Sequence, residues 1–357
     1  MGGGMNYTAA GSTKMATSEI FGKTLVELGE KDKRVVALTA DLAKSTKIGD
    51  FAEKFPDRFF NVGIAEQNLY GIAAGMAKAG LIPFASSFSV FASMRATDQL
   101  HTDICYQNVN VKIIGTHGGT SFGQAGSTHH AIEDIAVVRS IANLKVIVPA
   151  DGFETANAVR AAYATDGPVY IRINRGFDQV VYTGEDYGFE LGKGVLMHDG
   201  DDVTIIANGS CVFQAIQAAK ILSADYGIGA RVINLHTIKP IDKDIILKAV
   251  EDTRRIITVE DHTILGGLGT AVGEVVLENG RACAFKKLGI NDQFSVLGFH
   301  EDILHINGVD SENIVNTAVD MMKRAHIVQI TADGKTTKAL KFDDRDFEAE
   351  IDWTDEV

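Results

Sequence analysis

Short apolar runs alternate with helical patterns along most of this chain. In the first half the runs are 34–38, 59–62, 111–114, 145–148 and 169–173. Runs of this length between helical segments predict β-strands, and nearly continuous Val and Ile within several of them predicts parallel strands covered on both faces. The pattern therefore predicts an α/β fold.

The second half repeats this alternation on a smaller scale. Its predicted strands are 203–207, 231–235, 256–259 and 285–288, and its predicted helices are 212–226, 243–251 and 270–278. Between the halves, glycines interrupt a polar stretch, which is typical of a linker. We therefore predict two domains, 17–183 and 203–326, each a mostly parallel sheet flanked by helices and joined by a linker at 184–202.

The two ends of the chain differ from the rest in composition. Residues 1–16 begin with a charge-free segment rich in Gly, Ser and Thr, and we expect this N-terminal segment to be flexible. Residues 327–357 form an acidic tail that contains the only Trp of the chain. Such a composition predicts a tail that is mobile or ordered only against a partner.

Charge and cysteine content restrict the classes of function. The chain has 34 Lys and Arg against 47 Asp and Glu, a net charge of −13, which argues against nucleic acid as the main partner. Its three cysteines are scattered, as expected for reduced thiols in the cytoplasm. The longest uncharged stretches, 79–94 and 113–132, are broken by Pro and Ser or by Gly and Thr, so we expect no membrane span.

Glu66 is the first candidate for chemistry. It follows the strand predicted at 59–62 and opens an Ala- and Gly-rich helix that reaches residue 79. This position is at the carboxyl end of a strand, where open α/β sheets bind ligands. A carboxylate in the first turn of a helix also interacts favourably with the helix dipole, so a capping role is the alternative.

A long Gly-rich segment, 116–130, follows the strand predicted at 111–114 and contains His117, His129 and His130. Long loops of this kind are usually functional, and imidazoles can bind substrate oxygens, although a disordered surface loop is the alternative. His129, His130, Glu133 and Asp134 supply too few convergent ligands for us to predict a metal held by this chain's own side chains.

Aromatic and basic residues give two further candidates. Phe88 and Phe91 are three residues apart in a predicted helical segment, and they either pack in the core or stack on a flat ligand. Arg172 and Arg175 end the strand predicted at 169–173, where they either bind an anion or form surface ion pairs. The Gly-rich segment 267–273 is predicted to pack tightly at a helix start rather than to bind a dinucleotide.

Taken together, ordered motifs in both halves resemble the transketolase family. The motifs are Asn61-Val62-Gly63-Ile64-Ala65-Glu66-Gln67, Ser86-Ser87-Phe88-Ser89-Val90-Phe91, Thr128-His129-His130-Ala131-Ile132-Glu133-Asp134, Val148-Pro149-Ala150-Asp151, Asn234-Leu235-His236-Thr237-Ile238-Lys239-Pro240-Ile241-Asp242 and Val259-Glu260-Asp261-His262. The resemblance covers 17–326 and implies a thiamine diphosphate pyrimidine-binding domain followed by a transketolase C-terminal domain.

The resemblance covers only the second half of a full transketolase. The family's first domain holds Mg²⁺ and the cofactor's diphosphate through Gly-Asp-Gly, which does not occur here, since Gly200-Asp201-Asp202 lies in the predicted linker. The chain thus resembles the smaller subunit of a split transketolase, which implies a partner N-terminal subunit and a heterotetramer. Alternatives are a 1-deoxyxylulose 5-phosphate synthase-like subunit, a 2-oxo acid dehydrogenase β-like subunit, a metal-dependent hydrolase or a non-catalytic scaffold that binds a partner.

The resemblance also implies roles for individual residues in two-carbon ketol transfer from a ketose, phosphorylated or otherwise anionic, to an aldose. Glu66 would bind N1′ of the cofactor's aminopyrimidine, which requires burial to favour the neutral carboxyl over the effect of the helix start. The remaining roles are Phe88 and Phe91 packing on the pyrimidine, Asp41 near the thiazolium, and His117, His129 and Arg175 as donors to substrate hydroxyls, carbonyl and terminal phosphate.

Three positions depart from the family pattern. Gly118 and Ala125 stand where Asp is usual, and the Asp that matches Ala125 contacts a substrate hydroxyl. Met94 stands where a further aromatic residue is common. We therefore expect a substrate preference that differs from that of ordinary transketolases.

Overall fold

The computed structural model describes residues 14–176, 178–324, 328–330 and 336–339. The strands are β1 (Lys14–Met15), β2 (Val35–Thr39), β3 (Phe59–Asn61), β4 (Ile82–Phe88), β5 (Lys112–Thr116), β6 (Lys145–Ile147), β7 (Val169–Arg172), β8 (Asp178–Gln179), β9 (Val195–His198), β10 (Val203–Ala207), β11 (Ala230–Asn234), β12 (Thr237–Lys239), β13 (Arg255–Thr263), β14 (Ala284–Ile290), β15 (Val328–Ile330) and β16 (Thr336–Ala339). The α-helices are α1 (Thr17–Lys31), α2 (Gly49–Lys54), α3 (Glu66–Lys78), α4 (Thr97–Gln99), α5 (Asp134–Ser140), α6 (Gly152–Ala164), α7 (Cys211–Tyr226), α8 (Lys243–Thr253), α9 (Leu268–Glu278), α10 (His300–Ile306) and α11 (Ser311–Arg324).

The first sheet has seven strands in the order β12-β6-β7-β5-β4-β2-β3. All pairings in it are parallel except the one between β12 and β6. Apolar side chains of α1 and α6 pack on one face, and those of α3 and α5 pack on the other. The predicted α/β fold with parallel strands covered on both faces is confirmed.

The second sheet has the order β14-β13-β10-β11-β9. Its pairings are parallel except for β9, which runs antiparallel to β11. Strand β9 lies inside the segment 184–202 that was predicted to be a linker, so the structure differs from the prediction there. Three of its four residues, Val-Leu-Met, are apolar, and the surrounding glycines hide this short run in the sequence.

The two halves of the chain share a sheet and a core. Strand β12 follows β11 of the second sheet, yet it pairs with β6 of the first, with Thr237 opposite Ile147. One hydrophobic cluster includes Val146 and Val148 from the first half together with Ile238 and Ile246 from the second. The two sheets are therefore joined by buried apolar contacts as well as by the chain.

The segment 267–273 packs tightly at the start of α9, as predicted. A Cβ at Gly267 would lie 2.1 Å from a carboxylate oxygen of Glu260. That carboxylate accepts hydrogen bonds from the backbone N–H groups of Leu268 and Gly269, at 2.6 and 2.8 Å, and so satisfies the helix start. The glycine is required by this close approach and not by a ligand.

The ends of the chain show some order. Lys14–Met15 forms a short strand with β8, so the predicted flexible segment 1–16 is ordered at its last residues, while residues 1–13 lie outside the described part. In the predicted tail, 327–357, β15 and β16 pair with each other, and its other residues are likewise outside it. Among the described residues no helix combines the length and hydrophobicity that a membrane crossing needs.

Candidate active site

The turn before α3 brings Glu66 to the carboxyl edge of the first sheet. Gly63 adopts a φ of +77° in this turn, and its N–H donates to the Asn61 side chain at 3.1 Å. Glu66 is the first residue of α3 and only 1% exposed. Its carboxylate accepts hydrogen bonds from the Ser87 hydroxyl and from Arg95 Nη1, both at 3.0 Å.

Arg95 connects Glu66 to an aromatic ring. Its guanidinium carbon lies 4.0 Å from the centroid of the Phe91 ring while Nη1 binds Glu66. This ion pair favours the charged form of the carboxylate, whereas burial opposes it. Sequence analysis did not single out Ser87 or Arg95. The signal available for Arg95 was its spacing of four residues from Phe91 within one helical segment.

Aromatic rings form a cluster beside this carboxylate. Phe88 ends β4 and Phe91 begins a π-helical turn, so the prediction that both start one helix is wrong. Their rings nevertheless lie 5.9 Å apart and close to parallel. His117 lies 4.1 Å from Phe88, and His129 lies 5.4 Å from Phe91, measured between ring centroids. Phe122, which sequence analysis missed, contacts both histidines.

His117 sits in an unfavourable backbone conformation. Its φ of +59° is in the left-handed region, which residues other than glycine rarely adopt and which is often found at functional sites. Burial, the charge of Arg175 and His129 together lower the pKa of His117 to about 3. At neutral pH this imidazole is uncharged, so it can donate or accept a hydrogen bond but does not carry a positive charge.

Asp41 also has a positive φ, +62°, at the carboxyl end of β2. Its backbone N–H donates to Asn61 Oδ1 at 3.0 Å, and Asn61 Nδ2 donates to its carboxylate at 2.9 Å. Asp41 is exposed. It therefore lies at the same sheet edge as Glu66 and Phe88, fixed by the neighbouring strand.

Arg172 and Arg175 have different environments, which the sequence could not distinguish. Arg172 is buried, and its Nε donates to Asp134 at 3.0 Å while Nη2 donates to the carbonyls of Ala131 and Asp261. The interpretation of Arg172 as an anion-binding or surface residue is therefore wrong. Arg175 is exposed, with its guanidinium 5.3 Å from the Phe122 ring centroid.

The buried Arg172 explains why position 118 has no side chain. A Cβ at Gly118 would lie 2.7 Å from Arg172 Cγ and 2.9 Å from its Nε. An Asp at this position, as is usual in the family, would therefore displace the arginine from Asp134. The absence of a carboxylate at 118 is a packing requirement of this chain.

We expect Arg172→Met to destabilise the chain strongly. The variant leaves Asp134 buried without its cationic partner, and breaking such a pair typically costs about 3–5 kcal/mol of unfolding free energy. Urea unfolding would measure the loss. Arg34→Met removes an exposed ion pair with Asp32 and serves as the control, for which we expect little change. Equal stability of the two variants would contradict the structural role of Arg172.

The residues considered for a metal site are engaged with other protein groups. His130 Nε2 lies 3.1 Å from the carbonyl oxygen of Gly123, and His129 Nδ1 lies 2.9 Å from the Thr128 hydroxyl. Asp134 accepts hydrogen bonds from Tyr170 and Arg172. These contacts fix the side chains in positions that serve the loop and the core.

A cavity of about 760 Å³ opens next to His117. Its lining includes His117, Phe122 and Arg175 from the first half of the chain, together with a segment of the second half, residues 298–301. Basic side chains are frequent in the lining, but Lys14 and Lys47 are paired with Glu301 and Glu19. The cavity also contains Lys44, so its surface combines positive charge, imidazole and aromatic groups.

Two family models match this chain. The transketolase pyrimidine binding domain matches residues 13–177, and the transketolase C-terminal domain matches residues 192–314. The chain belongs to the transketolase family. The family implies dependence on thiamine diphosphate, and the match to these two domains alone agrees with the resemblance seen in the sequence.

Relatives of similar length are subunits. One of the two kinds of chain in the apulose-4-phosphate transketolase of Phocaeicola vulgatus is 40% identical over 87% of this chain and 98% of its own length. The 6-deoxy-6-sulfo-D-fructose transketolase subunit of Clostridium sp. strain MSTE9 is 38% identical over 84% and 92%. A solved split gene transketolase, an inactive tetramer of four β chains, has 44% identity and a TM-score of 0.78, covering 86% of this chain and 98% of that one.

A longer relative represents one of the alternatives. The 1-deoxy-D-xylulose-5-phosphate synthase of Halothermothrix orenii is 40% identical over 85% of this chain, which spans only 48% of that enzyme's length. Similarity to transketolase subunits extends over nearly their whole length. The chain is therefore a transketolase-type subunit that carries the pyrimidine-binding and C-terminal domains.

Proposed function

We propose that this chain is the smaller subunit of a thiamine diphosphate-dependent transketolase that moves a two-carbon ketol unit from an anionic ketose to an aldose. The observation that carries the proposal is the buried Glu66 carboxylate next to the rings of Phe88 and Phe91, at the carboxyl edge of a parallel sheet. A carboxylate and stacked aromatic rings fit the two chemical properties of an aminopyrimidine, a ring nitrogen that forms hydrogen bonds and a flat face.

The residues of this chain would hold the pyrimidine end of the cofactor. Phe91, with Phe88 behind it, would pack on the ring, Glu66 would hold a proton at N1′, and Asp41 would lie near the thiazolium. When bound, thiamine diphosphate supplies the carbon nucleophile and the electron sink for cleavage next to a carbonyl. The buried position of Glu66 keeps water away from the proton that it shares.

The cavity next to His117 would bind the substrate. His117 is uncharged at neutral pH and can donate to a substrate oxygen, as can His129, while Arg175 at the exposed side suits a phosphate or sulfonate. Two of the relatives are described as acting on a phosphorylated and a sulfonated sugar. An anionic sugar is therefore the substrate class that this lining favours.

The metal and the diphosphate would be held by a partner. Since Gly-Asp-Gly is absent, Mg²⁺ binding is assigned to an N-terminal transketolase subunit. The similar split chain is inactive as a tetramer of β chains, which supports a requirement for the other subunit. We infer a heterotetramer in which the active site lies between the two kinds of chain.

The decisive experiment is to tag this chain in its source cells and isolate it with its partner. We expect the complex, supplied with thiamine diphosphate and Mg²⁺, to transfer a ketol unit from xylulose 5-phosphate, fructose 6-phosphate or 6-deoxy-6-sulfofructose to an aldose. Decarboxylation of pyruvate instead would favour the deoxyxylulose phosphate synthase-like or oxo acid dehydrogenase-like alternative. A complex without either activity would favour the scaffold alternative.

Ala125→Asp is expected to change donor selectivity by about ten- to a hundredfold. A carboxylate restored at this position would form a charge-assisted hydrogen bond with a substrate hydroxyl, worth about 1.5–3 kcal/mol. The measurement is kcat/KM for linear, branched and sulfonated ketoses in the parent and the variant. If the parent already strongly prefers xylulose 5-phosphate and the variant gains nothing, another residue, such as the neighbouring Gln124, makes this contact.

A further inference from the structure

A segment of the second half of the chain forms one side of the substrate cavity. Residues 298–301 line it together with His117, Phe122 and Arg175. Within this segment Phe299 is 67% exposed, a large apolar side chain left open in a cavity whose other lining is mainly polar or charged. None of the candidate residues predicted from the sequence lies in this part of the chain.

The segment is packed directly against the loop that carries the two histidines. Gly123 has a φ of +36°, and a Cβ there would lie 2.4 Å from the carbonyl oxygen of Gly298. The Ser127 hydroxyl donates to the carbonyl of Ser295 at 2.7 Å. Because no side chain separates them at Gly123, the loop and the segment hold each other in place.

One carboxylate binds both elements. Asp261 accepts hydrogen bonds from the backbone N–H and the hydroxyl of Thr120, at 2.8 and 2.9 Å. The same carboxylate lies 3.2 Å from His300 Nε2, next to Phe299 in the chain. A Cβ at Gly119 would lie 2.1 Å from Asp261 Oδ2, so the loop fits this contact only with glycine there. The position of Phe299 is thereby fixed relative to His117.

We propose that Phe299 determines donor specificity by packing against the C–H face of the ketose chain whose anionic end is bound at Arg175. This inference rests on the proposed function. A ketose chain has apolar C–H surface as well as hydroxyls, and an aromatic ring that covers it gains contact area without requiring a hydrogen bond. The C-terminal domain would then take part in substrate choice, although the cofactor contacts come from the first half.

The test uses Phe299→Ala in the complex isolated with its partner. With the best donor among xylulose 5-phosphate, fructose 6-phosphate and 6-deoxy-6-sulfofructose, we expect KM to rise about tenfold and kcat to stay within about twofold, since the contact is made equally in ground and transition states. Inhibition by inorganic phosphate should be unchanged because Arg175 is intact. Phe294→Ala is the matched control, an equally apolar and exposed residue that does not line the cavity.

Two outcomes would overturn the inference while leaving the proposed function in place. One is an unchanged KM in Phe299→Ala. The other is loss of the partner from this variant in size-exclusion chromatography, which would make Phe299 an interface residue. Thermal unfolding of Phe299→Ala and the milder Phe299→Leu checks that the fold is retained. If Arg175→Met changes neither KM nor phosphate inhibition, the proposed substrate site fails, and this inference fails with it.

Discussion

Glu66→Gln is expected to lower the turnover of the assembled enzyme by about 10²- to 10⁴-fold, the usual contribution of a general acid or base. Gln preserves the size of the side chain and can still hydrogen bond to Ser87, but it cannot exchange a proton with N1′ of the cofactor. We therefore expect the affinity for thiamine diphosphate to change much less than turnover. Steady-state kinetics and cofactor titration of the complex would measure the two quantities.

Glu274→Gln provides a matched control for this prediction. It makes the same isosteric change and also removes an ion pair with an arginine, Arg139, but on the exposed surface. We expect this variant to retain normal turnover. Near-normal turnover of Glu66→Gln together with a loss of stability would return Glu66 to the role of a residue that caps α3.

The isolated chain is expected to show no ketol transfer and only weak binding of thiamine diphosphate. Most of the cofactor's charge is in its diphosphate, and this chain lacks the Gly-Asp-Gly motif with which the family binds that group and Mg²⁺. Pyrimidine contacts alone should leave binding weak. Calorimetric titration and activity assays of the chain, before and after addition of the partner chain, would test this.

The partner also provides the control. Addition of an N-terminal subunit that contains Gly-Asp-Gly should restore tight binding and turnover together, and removal of Mg²⁺ with a chelator should abolish both. Full turnover by the purified chain with Mg²⁺ and cofactor alone would contradict the split-enzyme proposal.

Most of the fold could be predicted because apolar runs mark buried parallel strands directly. Strand β10 was predicted with its exact bounds, 203–207, and most others to within one or two residues. Strand β4 was missed because Pro83, Ser86 and Ser87 resemble breaks in a pattern of apolar residues. The structure buries all of β4 between β2 and β5, and the polar Ser87 is needed there to bind Glu66.

The candidate site was only partly predictable for a related reason. Motifs and strand ends indicated Glu66 and the histidines, but the partners of a side chain depend on which elements meet in three dimensions. Arg172 and Arg175 both end one strand in the sequence, yet one is buried against Asp134 and the other is exposed. Likewise, nothing in the sequence places Phe299 beside His117, since positions 117 and 299 are 182 apart in numbering.

Strand β12 limits where a gene of this kind can be divided. A chain that ended at residue 202 would leave the edge of β6 unpaired and would expose the apolar surface that Ile238 and Ile246 cover. The two domains could not then evolve as separate proteins or be exchanged one at a time between relatives. A boundary ahead of α1 has no such cost within the described residues, so fission there can yield two stable products.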